Sequence, residues 1–490
     1  MATKTESKIQ DKVEEIVKAM PSLNGNMHYD YDLVVIGTGP SGQKAAIQGA
    51  KIGKRVAIVD RRELVGGVCV NTGTIPSKTL REAVLHLSGF RERNIYGASY
   101  RVKERIDMDD LNFRCGHVMR NEMEIIKHQM LRNQVDLLFG TASFIDPHTI
   151  RIVNYSGGEQ VVTAANVVIA VGTRPTRPQS IPFKNDIIFT SDDVLSLKSV
   201  PRSLTVVGGG VIGIEYASIF AALGVRVTVI DMRPRLLSFV DEELVDALVH
   251  HLRHQRVTFR LGEKVESIAY DEESERVVIS LASGKRVVTH KALYTVGRTG
   301  ATDNLNLESV GLEPDARGRI RVDDMYQTSV PHIYAAGDVI GFPSLASTSM
   351  EQGRLASAHA FGIKTNSMPE LVPYGIYTIP EISMVGVTEA EANAANLPYE
   401  TGKAYYKEIS RGQIIGDQTG MLKMLFNIET RKLLGVHIIG EGASELVHIG
   451  QAVLAFGGTV DYFVDTVFNY PTLAEAYKVA ALNGINRMYG

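Results

Sequence analysis

The chain has 490 residues, of which 44% are hydrophobic and 22% are charged, and its formal net charge is −3. This length exceeds that of one compact core and predicts two to four domains. The nearly balanced charge gives no reason to expect a nucleic-acid or membrane partner. Only two cysteines are present, which predicts a reduced, cytoplasmic protein without structural disulfides. No metal site is predicted.

Residues 1–28 precede the first predicted strand and form an N-terminal extension. Apolar residues recur in it at helical spacing and end at a proline: Ile9, Val13, Ile16, Val17, Met20 and Pro21. The spacing predicts a short helix. We interpret this helix as packed on its own protein, and a helix that binds a partner is the alternative.

A predicted strand over 33–36, a helix through residue 50 and a strand over 56–59 form a first βαβ unit. A glycine-rich turn joins the first strand to the helix. Its glycines permit a tight turn, close approach of backbone to a pyrophosphate, and packing of helix on strand. The helix N-terminus favours phosphate, and an aspartate after the second strand can accept a hydrogen bond from a ribose hydroxyl. The residues predicted to contact this dinucleotide are Gly37, Gly39, Ser41, Gly42 and Asp60.

A second βαβ unit repeats this design about 170 residues later, with strands over 204–207 and 225–230 and a helix through residue 223. Two dinucleotide sites in one chain imply a permanently held flavin and a nicotinamide nucleotide that comes and goes. The alternative, that both turns are merely structural, is disfavoured by this spacing. The predicted contact residues are Gly208, Gly210, Gly213 and Asp231.

Two other regions have a different character. A long amphipathic helical pattern around 106–133 lies between the two βαβ units and carries Cys115, which we expect to be packed. After about residue 366, alternating β-like stretches lead into helices that begin at residue 443. This change predicts a third, α+β domain.

The segment from Gly66 to Lys78 carries Cys69 and ends in Pro-Ser-Lys, and it resembles the active-site motif of the flavoprotein disulfide reductases. That family includes dihydrolipoamide dehydrogenase and glutathione reductase. Further segments resemble other motifs of the family: 170–175, 296–298, 333–338 and 378–381. The resemblance implies an α/β fold with two Rossmann-like dinucleotide-binding domains, for FAD and for NAD(P), and a C-terminal α+β dimerisation domain.

The resemblance also assigns domains and site residues. It places the FAD-binding domain at 29–174 and 296–365, the NAD(P)-binding domain at 175–295 and the interface domain at 366–490. It implies that Lys78 and Glu215 pair beside the flavin, where a cation stabilises the negative charge of its reduced form. The further contacts that it implies are Cys69, Thr74, Lys78, Gly172 and Asp338 to FAD, and Gly297 to the nicotinamide nucleotide.

Two departures from the family concern the transfer of electrons to sulfur. Thr74 stands where the family has the second cysteine of its redox disulfide, and Tyr470 stands where it has a C-terminal histidine. A phenol is a poor general base near neutral pH. These substitutions, with the segments 297–300 and 468–477, resemble the transhydrogenase branch of the family. The resemblance implies a homodimer, or a larger homo-oligomer, that transfers hydride from NADPH to NAD⁺ through FAD by a ping-pong mechanism.

The sequence leaves several alternatives open. The alternative functions are those of a flavin-dependent NAD(P)H oxidase, a quinone reductase or a non-catalytic flavoprotein that senses NAD(P)H. Asp231 suits a ribose 2′-hydroxyl and repels a 2′-phosphate, so Arg233 and Arg235 are candidates to neutralise that phosphate, or are solvated surface charges. Cys69 is either inert or a redox-sensitive thiol, and we expect its part in hydride transfer to be small.

Overall fold

The computed structural model describes residues 28–97, 99–184, 186–366 and 368–489. The helix predicted between residues 9 and 20 lies outside this part of the chain. None of the helices in the described ranges has the length and apolar character needed to cross a membrane.

The first unit is built on one sheet of seven strands. Their bounds are β1 (Tyr31–Ile36), β2 (Val56–Asp60), β3 (Asp136–Phe139), β4 (Thr141–Asp146), β5 (Thr149–Val153), β6 (Glu159–Ile169) and, from later in the chain, β17 (Ile333–Ala335). The order is β3-β2-β1-β6-β5-β4, with β17 beside β6. Strands β3, β2, β1, β6 and β17 are parallel. Successive residues of β1 are buried because Leu33 and Val35 enter one hydrophobic cluster and Val34 enters another, on the opposite face.

The first unit also contains helices. They are α1 (Pro40–Lys51), α2 (Gly67–Asn71), α3 (Thr74–Ser88), α4 (Arg93–Tyr96), α5 (Met108–Arg132) and α8 (Ala346–Ala360). Helix α5 is the one predicted over 106–133, and Asp107 caps its N-terminus by accepting from the Asp110 amide. Cys115 lies on it and is 1% exposed, so the prediction that this cysteine is packed is confirmed.

The second unit contains a five-stranded and a three-stranded sheet. Its strands are β8 (Ile188–Thr190), β9 (Ser203–Val207), β10 (Arg226–Asp231), β11 (Thr258–Leu261), β12 (Val265–Asp271), β13 (Arg276–Leu281), β14 (Arg286–Thr289) and β15 (Lys291–Tyr294). The parallel sheet has the order β11-β10-β9-β15-β8, and the antiparallel sheet has the order β12-β13-β14. Its helices are α6 (Val211–Ala222) and α7 (Glu242–His254). Two short strands, β7 (Thr173–Pro175) and β16 (Arg298–Gly300), pair antiparallel where the chain enters and leaves this unit.

The third unit is an antiparallel sheet of five strands in the order β18-β19-β22-β21-β20. Their bounds are β18 (Tyr374–Ile376), β19 (Ile382–Gly386), β20 (Tyr399–Tyr405), β21 (Met421–Asn427) and β22 (Leu433–Ile439). Its helices are α9 (Glu389–Ala394), α10 (Ser410–Ile415), α11 (Ala443–Ala455), α12 (Asp461–Asp465) and α13 (Glu475–Tyr489). Short 3₁₀ helices in the three units span Ser191–Ser196, Leu307–Val310, Asp338–Ile340 and Tyr406–Glu408. The α/β class and the third, α+β unit predicted from the sequence are confirmed.

Candidate functional site

A cleft of about 500 Å³ opens at the carboxyl end of β1, where the first glycine-rich turn leads into α1. Gly37 has φ +110°, and a Cβ on Gly42 would lie 1.8 Å from the Gly37 carbonyl oxygen, so the turn requires glycine at both positions. A Cβ on Gly39 would meet none of the described residues within 4 Å, which leaves room for a ligand to approach the backbone. The predicted FAD contacts that line this cleft are Gly37, Gly39, Ser41, Asp60, Cys69, Thr74, Gly172 and Asp338.

Asp60 is held in place at the end of β2. Its Oδ2 accepts from the Thr38 amide at 3.0 Å and from the Thr38 hydroxyl, and its Oδ1 accepts from the Arg62 amide at 3.1 Å. A carboxylate still has lone pairs to spare after these contacts. The arrangement therefore suits a ribose that donates hydroxyl hydrogen bonds at this strand end.

Asp338 lies in the same cleft, at the start of a 3₁₀ helix after β17. Burial raises the pKa of this carboxyl group, against the opposing effect of nearby Arg298. The hydroxyls of Ser349 and Thr173 approach it only to 3.4 Å each. A buried carboxylate needs hydrogen-bond donors, and these two long contacts leave most of its accepting capacity unused. The hydroxyls of a flavin's ribityl chain are donors of the required kind, so the surroundings of Asp338 fit that chain.

Lys78 and Glu215 form an ion pair between the first and second units. Lys78 Nζ lies 2.6 Å from Glu215 Oε2, and the Glu215 side chain is only 6% exposed. Lys78 does not line the cleft itself, but it follows Thr74 by four residues on α3 and so lies on the same helix face. The pairing implied by the family resemblance is present in the structure.

Tyr377 completes this pair and was missed by sequence reasoning. Its backbone N–H donates to Glu215 Oε1 at 2.7 Å, and Lys78 Nζ lies 4.9 Å from the centre of its ring. Tyr377 follows β18 directly, so it belongs to the third unit. The available signal was its position immediately before the matched segment 378–381, whereas its contact partners lie about 160 and 300 residues away.

The two positions of the family's disulfide are adjacent, at the junction of α2 and α3. Burial raises the pKa of the Cys69 thiol, and a hydrogen bond with the Thr74 side chain partly opposes this effect. Cys115, the other cysteine, has a pKa raised to about 11 by burial, and its Sγ lies 3.6 Å from the Pro76 carbonyl oxygen. Both cysteines are free thiols. Neither thiol is poised as a thiolate nucleophile near neutral pH.

Tyr470 is not among the residues that line the cleft. Its side chain is exposed, and its hydroxyl is hydrogen-bonded with Ser410 in the third unit. Glu475, at the start of α13, has a buried Oε2 without a hydrogen-bond partner in the described part of the chain. Neither Tyr470 nor Glu475 is therefore among the described residues that line the cleft beside the Cys69–Thr74 junction.

The second glycine-rich turn has the same geometry as the first. Gly208 has φ +105°, and a Cβ on Gly213 would lie 1.9 Å from the Gly208 carbonyl oxygen. A Cβ on Gly210 would meet none of the described residues within 4 Å, which again leaves the backbone open to a ligand. Gly297 lies after β15 with φ +86°. The turn therefore meets the backbone requirements of a dinucleotide site.

Arg233 and Arg235 have different partners. Arg233 donates two hydrogen bonds to the Asp231 carboxylate, from Nε at 2.9 Å and from Nη2 at 2.7 Å. The Gly209 amide donates to the same carboxylate at 2.7 Å. Burial alone would raise the pKa of Asp231, but these hydrogen bonds hold it below its usual value. Arg235 instead pairs with Glu242, and its Nη2 lies 3.8 Å from Asp246. Arg233 is thus the cation placed at the predicted ribose site.

Residues 31–353 match the family model of the pyridine nucleotide-disulphide oxidoreductases, and residues 372–481 match that family's dimerisation domain. The chain is 57% identical over 460 residues to the soluble pyridine nucleotide transhydrogenase of Mycobacterium bovis, covering 94% of this chain and 98% of that protein. It is 48% identical over 471 residues to the soluble pyridine nucleotide transhydrogenase of Hahella chejuensis, covering 94% and 99%.

Solved structures show the same relationship. The HOCl-induced flavoprotein disulfide reductase RclA from Escherichia coli superposes with a TM-score of 0.83 at 27% identity, covering 92% of this chain and 99% of that one. LpdA from Mycobacterium tuberculosis superposes with a TM-score of 0.84 at 26% identity and the same coverage. The chain therefore belongs to the pyridine nucleotide-disulphide oxidoreductase family, in the branch of the soluble pyridine nucleotide transhydrogenases.

Proposed function

We propose that this protein catalyses hydride transfer between NADPH and NAD⁺ by a ping-pong mechanism, in which both nucleotides use one site in turn. The observation that carries the proposal is the Cys69–Thr74 junction. A hydroxyl occupies the position of the second sulfur, so no redox disulfide can form beside a cleft that otherwise keeps its dinucleotide-binding residues. A bound FAD supplies the centre that accepts and returns the hydride.

Different residues of the cleft would bind different parts of FAD. The first glycine-rich turn, with the N-terminus of α1, would hold the pyrophosphate, and Asp60 would accept from the adenosine ribose. Asp338 would accept from the ribityl hydroxyls. Lys78 supplies a fixed positive charge because Glu215 holds its ammonium group at 2.6 Å. No protein nucleophile is needed, since positioning and electrostatics carry the reaction.

Asp231 and Arg233 would let one site accept both nucleotides. With NAD⁺ or NADH, Asp231 accepts from the ribose hydroxyls. With NADPH or NADP⁺, the guanidinium of Arg233 leaves the Asp231 carboxylate and binds the 2′-phosphate instead. The planar guanidinium matches two phosphate oxygens and so can form a bidentate contact. The existing Arg233–Asp231 pair supports this proposal because it already places the cation at the end of β10.

The remaining expectations belong to the same proposal. The FAD-binding domain comprises 29–174 and 296–365, the NAD(P)-binding domain 175–295 and the interface domain 366–490. The match of residues 372–481 to a dimerisation domain supports a homodimer. We place the enzyme in the cytoplasm, with nicotinamide nucleotides rather than nucleic acid as its binding partners.

A two-step stopped-flow measurement tests the function. Under anaerobic conditions, NADPH should bleach the flavin absorbance of the holoenzyme, and NAD⁺ added next should restore it. A thio-nicotinamide analogue as acceptor gives a coloured product that reports the same transfer. Restoration by oxygen or a quinone but not by NAD⁺ would show an oxidase or quinone reductase, and the absence of fast bleaching would show a non-catalytic sensor.

A further inference from the structure

Residues 377–379 of the third unit join the two helices that carry the Lys78–Glu215 pair. Each residue of this segment forms one backbone hydrogen bond with a side chain of α3 or α6. The Tyr377 N–H donates to Glu215 Oε1 at 2.7 Å, and the Ile379 N–H donates to Ser218 Oγ at 3.1 Å. The Thr378 carbonyl oxygen accepts from Arg81 Nε at 3.0 Å. We call residues 377–379 the joining segment.

The side chains that form hydrogen bonds with the joining segment are all buried. The side chains of Glu215 and Arg81 are each 6% exposed, and the residue Ser218 is 1% exposed. A buried polar group that loses its partner bears its full desolvation cost, so these hydrogen bonds hold the segment firmly against both helices. The third unit therefore fixes the relative position of α3 and α6, which belong to different units.

The Tyr377 side chain adds a contact to the cation of the pair. Lys78 Nζ lies 4.9 Å from the ring centre and 2.6 Å from Glu215 Oε2, so the ammonium group contacts both a carboxylate and an aromatic ring. Burial raises the pKa of the Tyr377 phenol, and the Ser444 side chain, whose hydroxyl donates to Glu381 at 2.9 Å, partly opposes this effect. The phenol end of the ring thus lies beside Ser444.

We infer that Tyr377 is a positioning residue for hydride transfer. Its ring holds the Lys78 ammonium group in place, and its amide orients the Glu215 carboxylate that pairs with that ammonium group. This inference rests on the proposed function, in which Lys78 supplies the fixed charge beside the flavin. It adds that the interface domain contributes directly to the electrostatics of the flavin site within one chain.

The test compares three variants of the holoenzyme. Tyr377→Leu removes the ring and keeps the amide, and Tyr377→Phe keeps the ring and loses the hydroxyl. Phe361→Leu is the matched control, because Lys54 Nζ lies 5.0 Å from the Phe361 ring, outside the site. We expect Tyr377→Leu to lower the limiting rate of flavin bleaching at saturating NADPH by about fivefold, as for one lost cation–π contact. Tyr377→Phe should recover most of that rate.

A second readout does not depend on the reaction. Brief acetylation with an amine-reactive reagent, followed by peptide mass spectrometry, reports the reactivity of individual lysines. Lys78 should become several times more reactive in Tyr377→Leu but not in Phe361→Leu, and Lys54 should show the reverse pattern. If Tyr377→Leu does not retain FAD, Tyr377→Met, which fills more of the space of the ring, takes its place.

The outcomes separate the two proposals. Equal bleaching rates and equal Lys78 reactivity in Tyr377→Leu and Phe361→Leu would overturn the role of Tyr377. A wild-type enzyme whose bleached flavin is not recoloured by NAD⁺ would overturn the transhydrogenase function. In that case the bleaching rates and the lysine labelling still decide the role of Tyr377, because neither measurement requires NAD⁺.

Discussion

At the scale of single residues, the most informative positions are those where one side chain replaces another within an otherwise intact motif. Thr74 and Tyr470 were identified from the sequence because each stands inside a short, locally recognisable segment. Arg233 and Arg235 could not be ranked in this way, since both follow β10 within four residues of Asp231. Their partners decide between them, and the partners of Arg235 lie on a separate helix, α7.

Arg233→Ala should weaken NADPH more than NADH. Loss of a charged bidentate hydrogen bond to the 2′-phosphate should raise the KM for NADPH by about tenfold. The KM for NADH should change little, because Asp231 keeps the Gly209 amide as a partner. Steady-state kinetics with each nucleotide measure both values, and Arg235→Ala serves as the matched control. Equal changes in the two KM values would remove the proposed role of Arg233.

Cys69→Ser should keep more than about half of the wild-type kcat, because no covalent intermediate on sulfur is needed. A serine hydroxyl can still hydrogen-bond with Thr74, so the junction of α2 and α3 should be retained. Transhydrogenation is measured together with the flavin absorbance of the purified protein. Near-complete loss of activity with FAD still bound would contradict the prediction and give Cys69 a chemical role.

At the scale of elements, the sequence predicted well wherever a pattern is local. The two βαβ units and the helix over 106–133 all appear in the structure, since their apolar spacing specifies the buried face. Helix α7 shows what such a pattern omits. It packs Leu244, Leu248 and Leu252 inward in the ordinary way, yet it also carries a half-buried histidine whose hydrogen-bond partner belongs to another unit.

His251 on α7 should make stability depend on pH. Its ring is hydrogen-bonded with Thr419 of the third unit at 2.9 Å, and burial lowers its pKa from 6.5 to about 4. A histidine with a lowered pKa in the folded state binds protons more readily when unfolded. Its contribution to stability is therefore fully present above pH 6.5 and is lost progressively as the pH falls towards 4.

Urea unfolding of the holoenzyme between pH 5 and pH 7.5, about the range in which histidine titrates, measures this effect. His251→Gln should show a smaller drop in the unfolding midpoint at the acidic end than the wild type. His250→Gln is the matched control, because His250 is the exposed neighbour on the same helix. The same pH dependence in all three proteins would show that other groups cause it.

At the scale of the whole molecule, the contacts between units were not predictable, since they join residues far apart in the chain. Lys423 is the clearest example. It lies in the centre of β21, where nearly every residue is buried, and its side chain is fully buried. Its Nζ contacts Asp241 at 2.9 Å and Glu243 at 2.7 Å in the second unit, and Glu389 in the third. A single lysine in a strand gives no local sign of such partners.

The ion pairs of Lys423 with Asp241, Glu243 and Glu389 should contribute strongly to the free energy of unfolding, because they connect the second and third units. Burial alone would lower the pKa of Lys423, but its hydrogen bonds to Glu243, Glu389 and Asp241 hold that pKa above its usual value, so the ammonium group stays charged. Lys423→Met leaves Asp241, which is 2% exposed, without its counter-charge. We expect a loss of about 3 kcal/mol in the free energy of unfolding, as for a buried pair with one partner removed.

Lys403→Met is the control that isolates this effect. Lys403 contacts the same Glu243 at 2.6 Å, but its side chain is 23% exposed and that of Glu243 is 40% exposed. Its removal should therefore cost no more than about 1 kcal/mol. Urea unfolding of each holoenzyme at pH 7 gives the comparison. A second substitution, Asp241→Asn, should recover part of the loss in Lys423→Met, because it removes the unpaired buried charge. Equal losses of unfolding free energy in Lys423→Met and Lys403→Met, without recovery in the double variant, would contradict the prediction. That result would show that packing rather than charge stabilises the contact between the second and third units.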